Sequence, residues 1–130
     1  MTNSIRKNLL TAIELVESEP EHLINLAHYK QLKGGATLHC TLGVLCASGK
    51  WPEMKFRPQP GGGYQVVFGI DGCEIIHQRN EELASLFGEN AYIYLFAARW
   101  DDELSSLSDK ELALKRLRDQ LTLYPEEVAA

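Results

Sequence analysis

Cys40 and His77 are the residues best suited to covalent chemistry in this chain. A thiol attacks as its thiolate, and a place near the positive end of a helix favours that form. Cys40 lies just after Thr37, which can cap a helix over residues 38–48, so its sulfur falls near such an end. His77 can then act as the base, with Asp71 or Glu74 orienting the imidazole. Together they would make a cysteine-dependent hydrolase or transferase. The competing reading makes Cys40 a small apolar residue of a core helix, the usual fate of a free buried cysteine. No flanking motif of a known cysteine hydrolase surrounds it, and the competing reading is the one adopted. The three cysteines contain no CxxC, and the four histidines stand at no recognised zinc-ligand spacing, so no metal site is expected. Gly61-Gly62-Gly63 is not a phosphate loop: GxxxxGK[ST] is absent, and no strand precedes the glycines while a helix follows them. No cofactor is expected.

Charge is more informative than any motif. The formal net charge is −5, from thirteen basic and eighteen acidic residues. Between Lys30 and Arg57, however, Lys30, Lys33, Lys50, Lys55 and Arg57 face one acid, Glu53, a net of +4. Between Asp71 and Glu103 eight acids face Arg79 and Arg99, a net of −6. Such blocks are commonly no more than solvated faces, but they can also steer a partner into register. Trp51, Phe56 and Tyr64 interleave with the basic block, as a stacking surface for nucleic acid requires. Aromatic residues beside Pro and Gly equally often plug the edge of a core. Overall acidity excludes a globally basic nucleic-acid binder while leaving a local basic patch open.

At 130 residues, 45% of them hydrophobic, the chain reads as one domain over 1–130 that can bury a core without disulfides or metal. No apolar run approaches the roughly 20 residues of a spanning helix. The start, MTNSIRKNLL, shows no secretory signal, so the expected compartment is the cytoplasm, where thiols stay reduced.

The elements that must position these groups are set by caps and periodicity. Ser4 can cap a first helix bearing Ile5, Leu9, Ala12, Ile13 and Val16 on one stripe. Ser18-Glu-Pro-Glu21 reads as a capping box opening a second helix through Leu23, Ile24, Ala27 and Leu32, ended by Gly34-Gly35. Leu38, Leu42 and Leu45 mark a third, stopped by Gly49. Residues 50–63 read as a Pro/Gly-rich loop, with Met54-Lys55-Phe56 available as a third strand for the hairpin Tyr64–Ile70 and Cys73–His77 around Asp71-Gly72. Asn80 can cap a fourth helix through Phe87. Ala91–Trp100 (AYIYLFAARW) is apolar on nearly every side and reads as a helix, either central in the core or half of an interface. Ser108-Asp-Lys-Glu111 is a second capping box, opening a helix through Leu121, and residues 124–130 read as a frayed tail. The expected fold is α+β: a mostly helical single domain of about five helices with one small antiparallel hairpin.

Cys40-Thr41-Leu42-Gly43-Val44-Leu45, Leu86-Phe87-Gly88 and the closing Ser108–Leu117 helix give the chain from Gly34 to Leu121 a further character. In these motifs it resembles small uncharacterised proteins encoded in phages and prophages. The resemblance implies a bacterial host cytoplasm and an accessory or host-modulating role; it brings no catalytic or ligand-binding residues with it. The functional expectation is therefore a non-catalytic protein acting through protein–protein contact. Glu81, Glu82, Glu89, Tyr92, Phe96, Trp100, Asp101, Asp102 and Glu103 are the candidate contact residues, facing a basic partner or a second copy in a homodimer. The alternatives are the thiol enzyme of Cys40 and His77 and a weak nucleic-acid contact through the Lys30–Arg57 block.

Overall fold

A computed structural model describes residues 2–70, 73–75, 79–97 and 106–125. The fold is α+β. Helix α1 spans Thr2–Ser18 and buries Leu9, Ala12, Ile13 and Val16, a stripe repeating every three to four residues. It packs on α5 (Asp109–Leu121), which buries Leu112, Ala113 and Leu117. The Ser108 capping box forms as the sequence predicts. Ser108 Oγ accepts from the Glu111 N–H at 3.1 Å and Glu111 Oε1 accepts from the Ser108 N–H at 2.9 Å. These bonds hold the exposed Glu111 carboxyl below its ordinary pKa. Lys110 Nζ donates to the Glu17 and Glu19 carbonyls at 2.9 and 2.8 Å, closing the far end of α1. Arg6 donates to the Tyr124 carbonyl and ties down the near end.

The second expected helix does not form. Ser18 ends α1, and its hydroxyl donates to the Glu14 carbonyl instead of capping a new helix. After a single 3-10 turn at Glu21–Leu23 the chain becomes the hairpin β1 (Gln31–Lys33) and β2 (Ala36–Leu38). Lys33 pairs with Ala36, so Gly34-Gly35 is a two-residue loop, and both glycines have positive φ, +57° and +83°. That is the turn whose twist matches paired strands, and it needs glycine-like backbone at both positions. The glycines that looked like a helix stop are a hairpin tip.

Helix α2 (Thr41–Ser48) starts three residues later than expected, with Cys40, not Thr37, as its N-cap. Strands β3 (Met54–Pro58), β4 (Tyr64–Ile70) and β5 (Cys73–Ile75) form an antiparallel sheet in that order. The Lys50–Gly63 segment is thus partly strand, and Met54-Lys55-Phe56 supplies the third strand. The Asp71-Gly72 turn itself lies outside the described residues.

Helix α3 (Arg79–Phe87) begins one residue before Asn80, and α4 is a single turn, Ala91–Tyr94. The long helix expected over Ala91–Trp100 gives way by Leu95, and residues 98–100 lie outside the described ones. Within it Ala91, Leu95 and Phe96 are buried, and Phe96 meets Phe87 edge to face at 5.4 Å. Two buried polar side chains bridge α5 to this region. Arg116 donates to the Ala97 carbonyl at 2.7 Å, and Gln120 to those of Phe87 and Glu89 at 3.2 Å each. Residues 126–130 of the expected tail lie outside the described residues.

Candidate functional site

The surroundings of the Cys40 thiol hold it in its protonated form. Cys40 Sγ accepts from the Gly43 N–H at 3.4 Å, so it does occupy the positive end of α2. Yet the residue is 4% exposed, and burial pushes its pKa up to about 11, outweighing the lowering from the helix N–H groups. The sulfur is a structural cap among apolar neighbours, protonated at neutral pH. Cys46 is likewise buried, with its pKa pushed up to about 11 by burial. His77 and Asp71, the proposed base and one orienting group, lie outside the described residues. Glu74 is a residue of β5. Among the described residues no group of three or more His, Cys, Asp or Glu side chains is placed to hold a metal ion.

The glycines of the resemblance motifs also have local explanations. A Cβ on Gly43 would overlap the carbonyl oxygen of Tyr29, so Cys-x-x-Gly lets α2 lie directly on the chain at Tyr29. A Cβ on Gly88 would strike the Gln120 amide and the Tyr124 ring.

Of the expected contact residues, Phe96 is corrected to the core by its 5% exposure. Glu81 and Glu89 are exposed, and Glu82 and Tyr92 are half-buried. Trp100, Asp101, Asp102 and Glu103 lie outside the described residues.

The start of the basic block borders a defined cleft. Residues 23–30 are laced to the chain before α2. The Asn25 N–H donates to the His39 carbonyl at 2.9 Å, the His39 N–H to that of Leu23 at 3.0 Å, and the Cys40 N–H to that of His28 at 2.8 Å. With the Tyr29 carbonyl seated against Gly43, Lys30 has a defined origin. Its ammonium stands 4.6 Å from the Tyr64 ring centroid and 5.1 Å from that of Phe56. Both distances are within cation–π range. The rings come together because the register sets Phe56 opposite Val66 and Tyr64 opposite Pro58, placing the two aromatics diagonally on one sheet face. Their centroids are 6.2 Å apart, edge to face, and His39 stacks on Phe56 at 5.7 Å. Burial lowers the His39 pKa, Glu19 opposes this, and Lys30 adds to it, so the imidazole is neutral at pH 7.

Beside this cluster, between β1 and the β3–β4 loop, runs an open cleft of about 450 Å³. Lys30, Gln31 and Leu32 form one wall, Pro58, Gln59, Gly62 and Gly63 the other, and His28 and Tyr64 complete it. Leu32 is 65% exposed on its rim. Lys33, Lys55 and Arg57 are exposed on the bordering strands. The basic segment legible in the sequence is therefore displayed mainly by two hairpins, and Lys30 is its fixed point.

Trp51 takes no part in this surface. It is buried, packs edge to face on Phe87 at 5.2 Å, and donates through Nε1 to Asn8 Oδ1 at 3.4 Å. A stacking surface built on Trp51, Phe56 and Tyr64 is excluded. What signals the cleft in the sequence is Gly34-Gly35 read as a hairpin turn, which carries Lys30–Lys33 toward the sheet. Comparison with protein-family models, with curated proteins and with solved structures found no match for this chain.

Proposed function

We propose that this protein is a non-catalytic accessory or regulatory protein that works by charge-guided contact with a protein partner. The observation that carries the reading is Lys30 in the cleft wall, with further basic side chains exposed on the two neighbouring hairpins. Lys33, Lys55 and Arg57 are exposed on the two hairpins, and the Lys30 ammonium is held on two rings with no carboxylate in ion-pair reach among the described residues. A charge held without a counterion is ready to receive one. The exposed Glu81 and Glu89 give the surface an acidic counterpart that orients the encounter. The resemblance to phage and prophage proteins fits a role of this kind in modulating a bacterial host. Burial raises the Cys40 and Cys46 thiols to about 11, which favours contact over thiol chemistry.

The test is capture from bacterial lysate by the immobilised protein at ~50 and ~500 mM salt, since surface charge contacts are screened over about a Debye length. The wild type is expected to retain a discrete partner at low salt and release it at high salt. Lys33→Glu with Lys55→Glu is expected to abolish capture, whereas Glu81→Lys with Glu89→Lys weakens it less. Capture that is absent, or indifferent to reversal of Lys33 and Lys55, overturns the reading.

A further inference from the structure

We propose that the cleft between β1 and the β3–β4 loop binds an extended acidic peptide segment of that partner, with Lys30 receiving a carboxylate and Leu32 an adjacent apolar side chain. The inference rests on the binding role already proposed and names the ligand class and the anchor.

Three features converge on a peptide. Lys30 projects from a hydrogen-bonded turn and is held by the Phe56 and Tyr64 rings, so little rotamer freedom remains to be lost when it meets an anion. Beside it the 65% exposed Leu32 and Pro58 offer apolar contact, and the Gln31 and Gln59 amides line the same walls. Both bordering strands are also sheet edges: β1 pairs only with β2, and β3 only with β4, among the described residues. An edge strand can supply main-chain hydrogen bonds to an extended segment. Charge selects an acidic one, because Lys30 stands in the cleft wall and the segment from Lys30 to Arg57 contains one acid, Glu53, against five basic residues.

A nucleic-acid strand fits less well. Bases need open ring faces, but Phe56 already carries His39 stacked on it and Lys30 over it, Tyr64 shares that ammonium, and Trp51 is buried. The acidic remainder of the chain would also oppose a continuous polyanion, while a few discrete carboxylates meet only the local field.

The experiment is fluorescence anisotropy of a fluorescein-labelled Asp/Glu-rich peptide with a central leucine, titrated with the full chain at ~50 and ~300 mM salt. Wild-type protein is expected to bind with salt-sensitive affinity. Lys30→Met keeps the stem over the rings but removes the charge, and is expected to weaken binding about tenfold, the scale of one charge-assisted hydrogen bond. Lys30→Arg is expected to restore most of it. Leu32→Asp, at a 65% exposed strand position, is expected to abolish it. Equal binding by Lys30→Met, tighter binding of a single-stranded oligothymidine, or absence of peptide binding at low salt overturns the proposal. If the peptide fails while lysate capture still depends on Lys33 and Lys55, the cleft assignment falls and the binding role stands; failure of capture as well removes both.

Discussion

Cys40 should be nearly inert while the protein is folded, and the size of the effect can be worked out. Raising a thiol from an ordinary pKa of 9.0 to about 11 leaves roughly a hundredfold less thiolate at pH 8, because each pH unit is a tenfold change in ionised fraction. At 4% exposure, restricted access slows labelling further. Iodoacetamide labelling of native and urea-unfolded protein at pH 8, resolved by peptide mass, should therefore show Cys40 protected by more than about 100-fold. The same burial makes a stability prediction. The native state keeps the proton that the unfolded chain loses above about pH 9, so this contribution is constant below that pH. It then falls as pH rises toward 11, by roughly 3 kcal/mol in all. Subtracting the urea-unfolding profile of Cys40→Ser from that of wild type cancels the titrating groups that do not interact with Cys40 and leaves the loss at Cys40 together with its coupling to Cys46; Ser retains a capping oxygen at this position. Native labelling of Cys40 at the unfolded rate, or a difference profile flat from pH 9 to 11, refutes the reasoning.

Other consequences bear on the scaffold of the cleft. Gly43→Ala forces α2 away from the Tyr29 carbonyl and is expected to destabilise by about 1–3 kcal/mol despite the helix propensity of Ala. It should also weaken acidic-peptide binding by displacing Lys30. A variant as stable as wild type in thermal unfolding would show that the close approach is relaxed in solution. His39 is expected to titrate below 6.5 by NMR. Because its folded pKa is lowered, its contribution to stability is complete above the unfolded value near 6.5 and is lost as pH falls below it. His39→Phe, which retains a ring on Phe56, should reduce that acid-side loss, and a midpoint at or above 6.5 would contradict the burial assigned to the imidazole.

Strong local signals reported the structure well. The Ser108–Glu111 box opens α5 because both reciprocal bonds are local, and the stripe from Leu9 to Val16 becomes the buried face of α1. Competing local signals reported it poorly. Ser18-Glu-Pro-Glu21 carries the letters of a capping box, but Ser18 is bound to the preceding turn, and the Gly-Gly pair at 34–35 prevails by closing a hairpin. Ala91–Trp100 has almost no polar face to show its period in sequence; within its described part the helix ends by Leu95, where Phe96 packs against Phe87. At the cleft, charge was legible but placement was not. Nothing local says that Lys30 will reach Phe56 and Tyr64 or that Trp51 will turn inward, since the first depends on the β3–β4 register and the approach of Tyr29 to Gly43, and the second on contacts with Phe87 and Asn8. At Cys40 the cap position is visible in sequence, whereas the desolvation that outweighs it comes from residues brought in by the fold.

Mapping the acidic peptide by amide chemical shifts tests the central claim most directly. With nitrogen-15-labelled protein, the account predicts that perturbations cluster in residues 28–33 and 56–64, disappear in Lys30→Met, and weaken as salt is added. Perturbations centred on Glu81, Glu82 and Glu89, or none at all at low salt, would contradict it.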